Sequence, residues 1–169
     1  KKGYDIASKG INTVRNIKKG DFDLHRDFFY SIKNVNPNIT RYAKVADITA
    51  YQFRIIKQTK ETIKGIRKTK QFTHVEIEYC AKVIDNLLTE CIKTVDELMM
   101  IITNDQLEMK DDERLKRIDG LYVDMQYKYA FGSSFSEEMA LLSMQRMGEE
   151  IEINRSKILN GLPLTLKEE

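Results

Sequence analysis

Between residues 77 and 102 the apolar side chains return at the pitch of an α-helix. Ile77, Cys80, Ile84, Leu87, Cys91, Val95, Leu98 and Ile102 follow one another at steps of three and four. At 3.6 residues per turn that spacing puts all eight on one face. Val83, Leu88, Ile92 and Met99 widen the face on both sides. A helix apolar on both flanks of its seam is expected at the centre of a bundle, contacted by two neighbours. Thr73-His74-Val75-Glu76 opens it with a capping box, in which the Thr73 hydroxyl accepts from the Glu76 amide and the Glu76 carboxylate reaches back to the Thr73 amide. Only Pro37 and Pro163 occur in the chain, so helices can run long between them.

The rest of the chain repeats the pattern. Ile6, Ala7, Ile11, Val14 and Ile17 mark a helix over 4–18, and Phe22, Leu24, Phe28, Phe29 and Ile32 a short one over 22–33. A turn at 34–38 contains Pro37. Over 38–69 the stripe is Ile39, Tyr42, Ala46, Ala50, Phe53, Ile56 and Ile63, widened by Val45, Ile48, Ile55 and Ile66. After a turn at Thr103-Asn104-Asp105, Asp111 or a neighbour is expected to cap a helix carrying Leu115, Ile118, Tyr122, Met125 and Tyr129. Phe131-Gly132-Ser133-Ser134 reads as a break or kink. The last helix carries Leu141, Met144, Met147, Ile151 and Ile158 and stops at Asn160-Gly161-Leu162-Pro163, with the tail 164–169 expected to fray. No stretch alternates as a strand would. The expected fold is all-α: one domain over 1–169, an elongated antiparallel bundle of about three long helices plus shorter N-terminal ones.

Composition narrows the function classes little. With 28 Lys and Arg against 26 Asp and Glu, the net charge argues neither for nor against nucleic acid; that partner is not expected. No run approaches the length of a membrane span. The chain opens Lys1-Lys2-Gly3-Tyr4 without Met or a charged-then-apolar leader, which reads as a fragment or processed product. Cys80 and Cys91 lie about three turns apart in one helix, too far for a disulfide between them, and read as small core residues.

Chemistry-bearing motifs are sparse. Gly132-Ser133-Ser134-Phe135-Ser136 lacks the second glycine and the preceding strand of a nucleophile elbow. His25 and His74 have no His or Cys at metal-ligand spacing. Gly65-Ile66-Arg67-Lys68-Thr69 lacks the two-glycine frame of a phosphate loop. No catalytic residue and no cofactor is assigned. Asp105, Glu108, Asp111, Asp112 and Glu113 gather around a turn. Oxygen ligands there could hold a divalent cation, but the calcium-loop pattern is not met; acids at a helix N-terminus also complement the macrodipole. Arg54, Lys57, Lys60, Lys64, Arg67, Lys68 and Lys70 make the most asymmetric region, with Glu61 the one acid among them. Several share a helix face and could meet phosphates, acidic lipid or an acidic protein surface, or simply be a solvated face near a helix C-terminus. Tyr122, Tyr127, Tyr129, Phe131 and Phe135 concentrate aromatics nearby; an exposed subset would mark an interaction patch.

Three stretches carry a resemblance: Gly20-Asp21-Phe22-Asp23-Leu24-His25-Arg26-Asp27-Phe28-Phe29, Phe72-Thr73-His74-Val75-Glu76-Ile77-Glu78-Tyr79, and Leu107-Glu108-Met109-Lys110-Asp111-Asp112-Glu113-Arg114-Leu115. They are similar to helical proteins of Bacteroidetes conjugative transposons labelled TraI (not the relaxase of that name), which are loosely like TrbJ-type proteins. Some relatives carry a TerB-type tellurite-resistance label. The resemblance runs from about residue 20 to 163 and rests on diffuse helix patterns. It implies a non-enzymatic, exported accessory of a type IV secretion apparatus, partnered by other proteins of that apparatus, with homo-oligomerisation a further expectation. A periplasmic or envelope location would require a leader upstream of Lys1. The tellurite label implies a divalent-metal-binding stress protein instead, with Asp105, Glu108, Asp111 and Asp112 as its metal candidates. Interaction residues are expected among Arg54, Lys57, Lys60, Lys64, Arg67, Lys68, Tyr127, Phe131 and Phe135.

Overall fold

A computed structural model describes residues 43–103 and 110–163. The helices expected over 4–18 and 22–33, the turn at 34–38, His25, the turn at 104–105, Asp105, Glu108 and the tail 164–169 lie outside the described residues. Within them the chain is all-α, with three helices: α1 (Ala43–Thr69), α2 (His74–Thr103) and α3 (Asp111–Leu159). None is long and apolar enough to cross a membrane.

The inter-helix contacts give the topology. Down α1 and into the turn after it, Lys44 meets Asp119, Gln58 meets Ser133, Thr62 meets Ser136 and Gln71 meets Glu150, at separations of 74 to 79 residues. A constant offset means that α1 and α3 run parallel. Along α2 the order reverses: Glu76 meets Arg146, Cys80 meets Met139, Thr94 meets Asp124 and Glu97 meets Arg117. So α2 is antiparallel to α3 and therefore to α1, an up-down-up arrangement. The expectation that α2 sits between two neighbours holds only in part. It touches both, but the most extensive pairing is α1 with α3, so the three helices form a triangle.

The core is the line where the three inner faces meet. Ile48 and Ile55 of α1, Ile84, Val95 and Leu98 of α2, and Ile118 and Met125 of α3 are fully buried. Each such side chain contributes about 1.5–3 kcal/mol through lost apolar exposure. The α1 face that turns inward is not the one led by Ala46, Ala50, Phe53 and Ile56. It is Val45, Ile48, Ile55, Ile63 and Ile66, interleaved with buried Thr49, Gln52 and Thr59. The two threonines are tolerated because their hydroxyls donate back along the helix. Thr49 bonds the Ala46 carbonyl at 2.7 Å and Thr59 the Ile55 carbonyl at 2.8 Å, so neither buries an unmet donor.

The break expected at 131–134 is absent. α3 runs through it unbroken for 49 residues, roughly 73 Å. Gly132 is buried against α2, where an added Cβ would stand 3.3 Å from Leu87 Cδ2. Ser136 donates to the Gly132 carbonyl at 2.7 Å and Ser133 to Gln58 of α1 at 3.3 Å. Glycine and serines are here for close packing, and the neighbouring helices offset their weak helix propensity. Nor does Asp111 cap α3: Lys110 holds the N-cap position without a side-chain bond, and Asp111, Asp112 and Glu113 form the first turn. The stop is as expected. Gly161 takes φ +65, Leu162 N donates to the Lys157 carbonyl at 2.9 Å and Gly161 N to the Ile158 carbonyl at 3.2 Å, a Schellman motif.

Candidate functional site

The capping box forms as the sequence predicts. Thr73 N donates to Glu76 Oε2 at 2.8 Å and Glu76 N to Thr73 Oγ1 at 3.3 Å. The structure adds Arg146 of α3. Its Nη2 donates to Glu76 Oε1 at 2.7 Å and its Nη1 to the Gln71 carbonyl at 2.8 Å. Its guanidinium lies 5.2 Å from the Phe72 ring centre. One side chain thus ties the α1–α2 turn to α3. The Arg146 guanidinium first, then the two bonds from Thr73, hold the Glu76 carboxyl down at about 2.

A second polar cluster joins α2 to α3 near the opposite end. Buried Thr94 donates to Asp124 Oδ2 at 2.7 Å, and Lys128 donates to Thr94 at 2.5 Å while pairing with Asp124. Burial opposes ionisation of Asp124, yet the bonds from Lys128 and Thr94 together keep its carboxyl below its usual value. The ammonium of Lys128 is consumed in this pairing. Burial pushes the Cys91 thiol up to about 12 and raises that of Cys80, so both cysteines serve as packing residues.

Between these clusters lies a concavity. It is an open groove of about 420 Å³ between α2 and α3, walled by Val83, Leu87, Tyr127 and Phe131, with Asn86, Glu90 and Lys128 at its margins. Its apolar wall is not covered: Tyr127 is 73% and Phe131 51% exposed. Phe135 is half-buried against the core, with its ring stacked 6.3 Å from that of Phe131. Two of the three aromatics singled out from sequence therefore line the groove and the third braces it. Val83 and Leu87 were legible only as part of the α2 seam, because nothing in one helix shows where the next stops covering it.

The basic residues of α1 divide between two positions. Arg54, Lys57, Lys64 and Lys68 are exposed on the side opposite the buried Ile48, Ile55 and Thr59, with exposed Glu61 among them. Arg67 is exposed on the shoulder, and Lys60 there is half-buried. Arg54 leans over Tyr51, with its guanidinium carbon 5.5 Å from the ring centre. The basic face and the groove are on different sides of the bundle, so they do not form one site. Asp111 and Asp112 are exposed at the start of α3; among the described residues no three His, Cys, Asp or Glu side chains gather where they could hold a metal.

No protein-family model, no curated protein and no solved structure matches this chain.

Proposed function

We propose that this chain is a non-enzymatic accessory component of conjugative DNA-transfer machinery of the type IV secretion kind. It acts by docking other proteins of that apparatus on its helix faces. The observation that carries the docking part is the uncovered apolar groove between α2 and α3. Exposed aromatic side chains beside a preformed apolar slot are the usual anchors of a helix-in-groove contact. The basic face of α1 would add attraction for an acidic partner and chiefly speed the encounter. The conjugative setting is supported by the resemblance of residues 20–163.

Two variants test the reading in a cell carrying the transfer element. Tyr127→Ala with Phe131→Ala empties the groove wall, and Lys57→Glu, Lys64→Glu and Lys68→Glu reverse the basic face. Transfer frequency between cells should fall with the first and, to a smaller extent, with the second, while circular dichroism of each purified variant stays that of the parent. Unchanged transfer with both overturns the proposal. The divalent-metal stress role has no observation in its favour among the described residues. Calorimetric titration with Ca²⁺, Mg²⁺ and Zn²⁺ decides it, and the docking reading predicts no heat of binding.

A further inference from the structure

α1 and α2 each meet α3 along one shoulder and turn the other shoulder away from it. α1 meets α3 through Lys44, Tyr51, Gln58 and Thr62, and α2 through Cys80, Thr94 and Glu97. On the opposite shoulder of α1 stand Ala46, Thr49, Phe53 and Ile56, at steps of three, four and three, and on that of α2 stand Ile92, Asp96 and Met99. These two stretches are level. Lys44 and Tyr51 meet α3 at Asp119 and Tyr122, while Thr94 and Glu97 meet it at Asp124 and Arg117. Together they wall an outer trough between the first half of α1 and the last half of α2. Thr49 and Ile92 are buried there, Phe53, Ile56 and Met99 are half-buried, and Ala46 is exposed at the edge. The apolar lining is short. Along α1 the same line passes on to Lys60 and Lys64, and along α2 it passes back to Thr89 and Asp85. Asp96 is half-buried in the wall, and burial raises its carboxyl above the ordinary value, so a cation beside it would be favoured.

We propose that the chain's own residues 22–33 lie in this trough as a fourth helix, antiparallel to α1. Wound at about 100° per residue, the segment puts Phe22, Leu24, Phe28, Phe29 and Ile32 on one half of its surface and Asp23, Arg26, Asp27 and Lys33 on the other. The connection fits. Residues 34–42, with the turn at Pro37, are all that separate the segment from the start of α1, and helices joined so closely pack antiparallel. The length fits as well. A helix over 22–33 covers roughly 18 Å, and the trough wall from Ala43 to Ile56 roughly 20 Å. Where the segment would end, α1 turns from apolar to basic on that line. Arg26 and Lys33 border the apolar half on one side, and with that side toward α2 they meet Asp96. Seated there, the segment leaves uncovered the groove of Tyr127 and Phe131, which opens on the other shoulder of α2.

The proposal is independent of the proposed role in conjugation. Cysteine pairing in the full chain tests it under mild oxidation, with Cys80 and Cys91 buried and out of the exchange. Ile32→Cys with Ala46→Cys should form a disulfide within one chain, at the same rate on dilution. Ile32→Cys with Lys64→Cys, roughly 27 Å farther along α1, should not. Adding Phe28→Glu and Phe29→Glu to the first pair should slow its cross-link at least tenfold. No disulfide at Ala46, a disulfide at Lys64 formed as readily, or a rate indifferent to the two glutamates would each overturn it. So would disulfides that form only between chains, which would put a second copy in the trough.

Discussion

Gly132 is where the packing of α3 on α2 can be tested with one substitution. A Cβ there would stand 3.3 Å from Leu87 Cδ2 and 4.0 Å from Gln58 Oε1, whereas at Gly120 of the same helix it would meet nothing within 4 Å. Both glycines are helical and neither has positive φ. Valine in place of glycine therefore gains the same helix propensity at both, roughly half a kcal/mol. At Gly132 its two methyl groups must also enter the space that Leu87 and Gln58 fill, and such overpacking costs about 1–3 kcal/mol. Gly132→Val should thus lose about 2 kcal/mol relative to Gly120→Val, or roughly 4–8 °C in Tm for a chain of this size. Gly132→Ala should fall between them, because the contacted atom is the tip of a side chain that can shift by a few tenths of an ångström. Thermal melts and urea titrations of the three variants measure this. If Gly132→Val is as stable as Gly120→Val, the close approach of α3 to Leu87 is wrong, and with it the reason given for a glycine in mid-helix.

Two further predictions rest on the polar ties between helices. Glu76 ionises at about 2 in the folded chain against 4.5 for an unperturbed carboxyl, so its stabilising contribution is complete above pH 4.5 and is lost as pH falls through 2. Urea midpoints of the parent should drop across that window, Glu76→Gln should flatten part of the drop, and identical pH profiles for the two would refute the role of Arg146. Thr59→Val should change stability by less than about 1 kcal/mol, since the carbonyl it bonds is already paired in the helix. Thr94→Val should cost about 1–2 kcal/mol by stripping a partner from Asp124 and Lys128; equal effects from the two would remove the Thr94–Asp124–Lys128 cluster from the account.

The features that the sequence made legible are those set within a few residues. The α2 seam, the Thr73–Glu76 box and the Gly161 stop depend on steps of three to five positions, and each is present. What failed depended on distant neighbours. Gly132 looked like a break because its packing partners, Leu87 and Gln58, are 45 and 74 positions away. The buried face of α1 was read one shoulder off because Thr49, Gln52 and Thr59 count as polar in a stripe, yet two of them satisfy their hydroxyls within the helix. Arg146 carried no local signal at all, since its partners lie 70 and 75 positions back. Tyr127 and Phe131 were found as an aromatic concentration, but the groove needs Val83 and Leu87 from another helix. The stripe of Leu141, Met144, Ile151 and Ile158 on α3 was visible as periodicity, while its outward direction was not: a repeat shows that a face is apolar, and only the placement of the other helices shows whether that face is covered.

The claim on which the rest stands is that α3 is one unbroken helix, with α1 and α2 packed along it and the outer face of its last part exposed. Spin labels at Glu113 and Ser156, both exposed, read it directly by pulsed dipolar spectroscopy, with labelled chains diluted in unlabelled ones. An unbroken helix puts these positions roughly 65 Å apart at 1.5 Å per residue, in one narrow distribution. A mean distance near 45 Å, or a broad spread of shorter distances, would mean that the helix bends at 131–134, and the account would fall with it.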